Sequence, residues 1–361
     1  MKMAWKEIRY NWKKFILIEI LLILLIFMVL FLSGLANGLG RAVSAGIEIM
    51  DADYFIMSED ADGLITVSAI SNEDLTLIQD ENTNPMVALN LSRSYIESSG
   101  EIERTDITYF AMEPDSFLAP EIVEGSQISA EGDIVLDTSF REIGIEVGDT
   151  ILDSATDKEF TVSGFSEDAM YGHIGAGYIS LKDYNQLQKE KNPAYTEMIQ
   201  TLVAQGDSTD AVLPEGYSAV PKSDVILNIP GYQAEQTTIQ MILWVLVFVS
   251  GAVLGVFFYI LTLQKRKQFG VLKAIGFHLR EILQIQFSQV ILLSAFGAVA
   301  GYLLSAFLSG FLPDSMPFYM RQSEAFQVLL AFVGISVFCS LFSIIQIAKV
   351  DPVKMIGGNE E

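Results

Sequence analysis

Residues 241–263 read MILWVLVFVSGAVLGVFFYILTL, a run of 23 residues without a charge. A helix needs about 20 predominantly apolar residues to cross the hydrocarbon core of a bilayer, so this stretch predicts a membrane span. Three more runs of the same kind lie along the chain. Residues 15–35 carry one charge, Glu19, near the start, and residues 285–307 and 326–347 carry none. Helices of globular proteins seldom go four turns without a charge on the wet side. The first run is too long for the apolar part of a cleaved signal peptide, about 7–15 residues. The sequence reads as a membrane protein with four transmembrane helices.

Basic residues beside the spans give the orientation. Lys2, Lys6, Arg9, Lys13 and Lys14 precede the first span. Lys265, Arg266, Lys267, Lys273 and Arg280 lie between the second and third, and Lys349 and Lys354 follow the fourth. The loop between the third and fourth spans has only Arg321. By the positive-inside rule both termini and the 264–284 loop are expected in the cytoplasm of a multi-pass cell-membrane protein, with residues 36–236 outside. That outer segment has 37 acidic and 9 basic residues, against 8 and 13 in the rest of the chain. So acidic a domain does not suit nucleic acid or anionic lipid as a partner. The single cysteine, Cys339, lies in the fourth span, so the outer domain has no disulfide and must rest on its apolar core. Some 200 residues suffice for that.

The chain divides accordingly. Residues 1–14, MKMAWKEIRYNWKK, repeat Trp5, Ile8 and Trp12 at helical spacing beside a basic stripe, which predicts a helix lying on the lipid headgroups of the cytoplasmic leaflet. Residues 15–50 hold the first span and a helical extension free of proline. Residues 51–225 read as a mixed α/β domain. In it GDIVLDTSF and KEFTVSGFSED are strand-like, and SLKDYNQLQKE is a helix with Ser180 as its N-cap. Residues 226–263 begin at a Pro230-Gly231 break and continue into the second span as one helix. Residues 231–263 would be about 50 Å long, against about 30 Å of hydrocarbon, so both extensions predict a stalk. Residues 264–284 are a cytoplasmic loop, 285–307 the third span, 308–325 an outer loop, 326–347 the fourth span and 348–361 a cytoplasmic tail. Gly34 and Gly38, Gly251 and Gly255, and Gly297, Gly301 and Ser305 fall at four-residue spacing, where small residues let helices approach closely.

The chemistry that is missing narrows the function. The sequence has no G-x-x-x-x-G-K-[ST] phosphate loop, no H-E-x-x-H, no G-x-S-x-G and no His/Cys cluster at metal-ligand spacing. No catalytic residue, resident metal or intrinsic cofactor is expected. No charge sits deep in a span, which argues against a proton pump built on intramembrane carboxylates. Any energy source must then sit on a separate cytoplasmic subunit. QFGVLKAIGF, residues 268–277, is a short amphipathic helix held between two spans, with Gly270 and Gly276 near its ends. Phe269, Leu272 and Ile275 supply its apolar side chains and Lys273 a charge. It is suited to be the handle on which such a subunit pulls.

One long N-terminal span, a large outer domain, three more spans and the QFGVLKAIG loop together resemble the MacB/FtsX-type permeases of ABC transporters over essentially the whole chain. EGSQISAEGDIVLDTSFREIGIEVGDTI and FTVSGF are similar to the core of that family's outer domain, and KVDPVKMI, residues 349–356, to its C-terminal Asp-Pro motif, here Asp351 and Pro352. Lys267 and Gln268 stand where the family usually has Arg-Glu, and Lys354 and Met355 where Glu-Ala is common. The resemblance implies a MacB-like extracytoplasmic domain between helices 1 and 2. It implies a homodimer working with a separate ABC ATPase subunit that binds ATP, and mechanotransmission rather than passage through a central channel. Phe269, Gly270, Leu272, Lys273 and Gly276 would make the coupling contact.

MAWKEIRYNWKKF, MYGH (170–173), GYQAEQ (231–236), LPDSMPF (312–318) and KMIGGNEE resemble most the heme-efflux branch of the family. Heme would then be the substrate. Candidates to meet its iron and propionates are Met170, Tyr171, His173, Tyr232 and Glu235, of side-chain types that bind ferric iron or line its site. The alternatives are export of peptides, antibiotics or lipoproteins, or an FtsX-like regulator that transports nothing and acts on an outer cell-wall hydrolase.

Overall fold

The computed structural model describes residues 6, 9, 10, 12–98, 104–312 and 316–348. The interfacial helix expected over 1–14 lies largely outside them, and the Asp351-Pro352 motif wholly. In chain order α1 (Trp12–Glu48) leads to β1 (Tyr54–Ser58), α2 (Asn72–Glu81), β2 (Met86–Ser98), β3 (Thr105–Met112), β4 (Ile122–Gly125), β5 (Asp133–Asp137), β6 (Thr150–Asp153), β7 (Glu159–Ser166), β8 (Met170–Tyr171) and β9 (Ile174–Ser180). There follow α3 (Leu181–Lys191), β10 (Thr201–Ala204), β11 (Tyr217–Pro221), α4 (Lys222–Asn228), α5 (Tyr232–Gln264), α6 (Arg266–Ala274), α7 (Leu279–Ser309) and α8 (Gln322–Ala348). The helices α1, α5, α7 and α8 are each long and apolar enough to cross a membrane. The chain forms two compact units, residues 39–237 and residues 1–38 with 238–361.

The unit of residues 39–237 is built on an eleven-stranded mixed sheet in the order β11-β1-β10-β2-β3-β9-β5-β7-β4, with β6 bridging β2 and β7 and β8 paired to β9. The pairs β3–β9 and β5–β7 are parallel and the others antiparallel. Strand alternation builds two cores, one on each face. Along β3, Ile107, Tyr109 and Ala111 enter one core, while Phe110 and Met112 enter the other. Along β5, Ile134 and Leu136 side with the first and Val135 with the second. The Phe110 core also takes Val43 and Ile47 from the end of α1 and Met50 just beyond it, and packs against Tyr232 at the start of α5. The carbonyls that end α1 are met by Lys222, whose Nζ donates to the oxygens of Glu48 and Met50 at 2.7 and 2.6 Å. A cation there also complements the negative end of the helix dipole. Ser180 caps α3 as expected, its Oγ accepting from the Asp183 N–H at 3.0 Å.

In the other unit, small residues set the helix contacts. A Cβ on Gly301 would lie 2.8 Å from Ile26 of α1, and one on Gly297 3.3 Å from Leu22, so α7 seats against α1 at these glycines. Gly251 faces Ile335 and Gly255 faces Cys339, which brings α5 to α8. Gly34 and Gly38 behave differently from the helix–helix contact expected of them. They receive Phe318 and the backbone of Pro317 from the segment before α8, and the Tyr319 N–H donates to the Gly34 oxygen at 2.9 Å. A groove of two glycines accepts an extended segment as well as a helix, and the spacing alone does not tell which.

The outer unit also offers a stability test. Asp183 is fully buried and its Oδ1 accepts from Lys158 Nζ at 2.7 Å. Asp183→Ala leaves a buried ammonium without its carboxylate, a loss of about 3–5 kcal/mol. Denaturant unfolding of the full chain in detergent should show an outer-domain midpoint lowered accordingly, with Lys158→Met added to Asp183→Ala recovering part of it. An unchanged midpoint would mean that the pair is solvated.

Candidate functional site

The segment between β7 and β9 is tied at five points within the 39–237 unit. Three of its residues, Asp168, Gly172 and His173, have left-handed backbone, φ +60°, +60° and +64°. For a histidine this is uncommon and costs energy that the surroundings must supply. Here they do. The Ala169 N–H donates to Asp137 Oδ2 at 2.8 Å, and Asp168 accepts from Arg41 Nη2 at 2.8 Å. The N–H groups of Gly172 and His173 donate to the carbonyls of Val43 and Ala42 at 2.9 and 2.8 Å. Finally His173 Nε2 lies 3.2 Å from Glu235 Oε2. One loop thus holds the end of α1 through Arg41, Ala42 and Val43, and the first turn of α5 through Glu235. Close approach to α1 depends on Gly46, where a Cβ would come within 2.9 Å of the Met170 carbonyl oxygen and of the Phe110 ring.

The five substrate candidates separate in this arrangement. His173 and Glu235 are brought together, their side chains 48% and 24% exposed. Tyr232 stands one turn before Glu235 on α5, half-buried against the outer core. Met170 is half-buried. Tyr171 departs from the expected shared space. It is 8% exposed and meets Phe110 edge-on at 6.0 Å between ring centroids. Burial pushes its phenol up to about 12. The cause is the two-residue strand β8, whose alternation turns Tyr171 inward, while the left-handed Gly172–His173 pair turns the histidine out. His173, Glu235 and Tyr232 carry nitrogen, carboxylate and phenol donors, a set suited to ferric iron.

Burial pushes the Asp137 carboxyl up, against the pull of the N–H donors of Ser139 and Ala169. Arg41 and Asp168 form a contact that motif reading passes over. The available signal is that Arg41 is the only Lys or Arg between residues 15 and 92.

The second candidate region is α6. Phe269 and Gly270 are buried, and Phe269 packs on Ile282 with Leu272, Phe277 and Leu283 around them. The expected outward apolar face of Phe269, Leu272 and Ile275 is therefore split. The first two turn onto α7, whereas Ile275 is 67% and Val271 51% exposed. Residues 269 and 272 share a helix face and 275 does not continue it, because 3.6 residues per turn carry it round the axis. Gly276, with φ +100°, ends the helix in the left-handed conformation usual beyond a C-terminus, and its N–H donates to the Lys273 oxygen at 3.1 Å. After it α7 opens with a capping box, His278 N–H donating to Glu281 Oε2 at 2.8 Å.

Residues 17–215, more than half of the chain, match the MacB-like periplasmic core domain, and residues 240–352 match the FtsX-like permease C-terminal domain. The chain is 27% identical to a putative hemin transport system permease protein HrtB of Staphylococcus haemolyticus, over 100% of both chains. It is 21% identical to an uncharacterized ABC transporter permease of Mycobacterium tuberculosis, over 98% of this chain and 99% of that one. The extracellular domain of the noncanonic ABC-type transporter YknZ from Gram-positive bacteria, a crystal structure, is similar at 12% identity with a TM-score of 0.33, covering 47% of this chain and 98% of that one. With both family domains matched in the order that the four spans and the inserted sheet domain require, the chain belongs to the MacB/FtsX type of ABC transporter permease, a multi-pass membrane protein.

Proposed function

We propose that this chain is the permease subunit of an ATP-driven heme exporter. It works as a homodimer in the cell membrane with a separate cytoplasmic ABC ATPase, a partner that the permease family implies. The observation that carries the substrate is the end-to-end likeness to permeases named for hemin transport. The His173–Glu235 contact, with Tyr232 one turn away, supports it. A porphyrin dissolves in lipid and presents iron and two propionates at the headgroup level. Tyr232 or His173 would bind the iron, and Glu235 would exchange its histidine for it or hold the ring in place. The termini and α6 face the cytoplasm, next to the basic residues, and residues 39–237 face outward. ATP binding closes the motor on α6. The pull reaches α1 and α5, and the segment from Asp168 to His173 hands their movement to the outer sheet, so substrate is expelled from the outer side by mechanotransmission.

Three outcomes follow. Purified protein titrated with hemin should show a Soret band. Tyr232→Ala and Glu235→Ala should each shift or weaken it and lower the heme tolerance of cells, with expression unchanged, while Tyr171→Phe, altered only inside the core, should leave the band as in the parent. A parent that binds no hemin would give way to export of peptides or antibiotics.

In the complex with its ATPase, Ile275→Asp should remove most of the permease-stimulated turnover without loss of membrane insertion, because that side chain is exposed and supports no core. Gly270→Trp should do the same by prising α6 from α7. Survival of stimulation in both would remove α6 as the handle.

Accessible-cysteine labelling in a Cys339→Ser background should find position 130 outside and position 268 inside. One reversed position would undo the orientation.

A further inference from the structure

The segment that leads from α7 into α8 grips α1 at the far end of the first span. Phe27, Phe31, Gly34 and Gly38 recur at three- and four-residue spacing, which sets them along one side of α1. Phe318 lies over this side. A Cβ on Gly34 would overlap its ring, and the ring centroids of Phe31 and Phe318 are 5.4 Å apart. A Cβ on Gly38 would overlap the Pro317 carbonyl, so backbone rests directly on backbone. Polar contacts follow the same path. The Tyr319 N–H donates to the Gly34 oxygen at 2.9 Å, and Asn37 Nδ2 donates to Glu324 Oε2 at 2.6 Å. The other carboxylate oxygen of Glu324 accepts from Arg321 Nη1 at 3.2 Å. One carboxylate in the first turn of α8 thus reaches across to α1 and is itself held in place by Arg321.

The same pair of helices holds α1 at a second place. Ile26 lies 2.8 Å from where a Cβ on Gly301 of α7 would be. Beside Gly301, the Tyr302 hydroxyl donates to Gln322 Oε1 at 3.0 Å, which joins α7 to the start of α8. Ile26 and Gly38 are 12 residues apart, about 18 Å along α1. A single contact is a pivot, whereas two contacts so far apart fix the direction of a helix as well as its position. The two grips differ in kind. At Gly301 the contact is apolar packing, and at Glu324 it is a hydrogen bond to a charged group, which is stronger than a neutral one. α7 in turn seats α6, through Phe269 on Ile282.

We infer that residues Pro317 to Glu324 are a clasp that keeps α1, α7 and α8 together as one body through the transport cycle, with Phe318 and Glu324 as its positioning residues. The inference rests on the reading of α6 as the point where the ATPase acts. A displacement of α6 passes to α7, on which it packs, and the clasp makes α1 follow without turning about Gly301. Phe318 gives the hold by shape and Glu324 by charge. Both belong to the membrane unit, and the five substrate candidates belong to the other.

The test uses the permease–ATPase complex in nanodiscs and reads permease-stimulated ATP turnover. Glu324→Ala removes the acceptor of Asn37 and should lower that turnover about tenfold, the scale of one hydrogen bond to a charged group. Phe318→Ala, which empties the groove over Gly34, should act in the same direction. Glu324→Gln still offers an oxygen to Asn37 and should stay within about twofold of the parent. The melting temperature of Glu324→Ala in detergent should fall by no more than about 4 °C, so that the loss reports coupling and not unfolding. The deciding variant is Asn37→Cys with Glu324→Cys in a Cys339→Ser background. Reduced, it should be as slow as Glu324→Ala. Joined by a short bis-methanethiosulfonate bridge, it should regain most of the turnover of Cys339→Ser alone, and lose it again on reduction. A joint that has to open during the cycle would instead be stopped by the bridge. Parental turnover in Glu324→Ala, or a bridged form no faster than the reduced one, overturns the clasp alone. A parent permease that does not stimulate its ATPase overturns the reading of α6 and the clasp with it.

Discussion

A backbone that enters hydrocarbon must satisfy its own hydrogen bonds, and the α-helix does so within a single segment. Four such helices frame this protein, and all four are longer than the hydrocarbon core is thick, α1 and α5 most of all. At 1.5 Å per residue, α1 with 37 residues and α5 with 33 are about 55 and 50 Å long. The excess is structured. The far end of α1 lends Val43 and Ile47 to the core of the outer sheet domain, and the first turn of α5 lends Tyr232. Near its other end α1 lends Leu22 and Ile26 to the membrane bundle. α1 therefore contributes side chains to a core in each of the two units.

The loop from Asp168 to His173 shows how the outer domain grips these rods. Its backbone N–H groups use carbonyls of α1 at Ala42 and Val43, its acidic side chain uses Arg41, and its histidine uses Glu235 of α5. None of these contacts is strong alone; a partly exposed ion pair contributes on the order of 1 kcal/mol or less. Together they hold three left-handed residues in place. The same loop carries His173, one of the substrate candidates, to Glu235.

The membrane part follows a different economy of contacts. Glycines place α7 on α1 and α5 on α8, and each leaves a specific neighbour where a side chain would be. Gly297 is the case where the neighbour is a carboxylate. The position of Glu19 near the start of the first span suggested a marginal charge at the membrane edge, but the fold encloses it between helices. Packing rather than depth decides whether such a residue meets water.

What the sequence determined by itself were the properties that depend on composition along the chain. The four apolar runs, the inserted acidic domain, the strand alternation of residues 133–137 and 159–166 and the Ser180 cap are local facts, each legible because a period or a cap needs only neighbouring residues. The order of spans, the large inserted domain, the QFGVLKAIG loop and the stretches EGSQISAEGDIVLDTSFREIGIEVGDTI, FTVSGF and KVDPVKMI together suggested the family. The tertiary structure alone decided which faces are covered. It turned Phe269 and Leu272 inward and left Ile275 out, buried Tyr171 while presenting His173, and gave Gly34 and Gly38 to an extended segment rather than a helix. It also joined Arg41 to Asp168 and His173 to Glu235, residues 127 and 62 positions apart. Pairings at such separations depend on the path of the whole chain, and no window of sequence contains both partners.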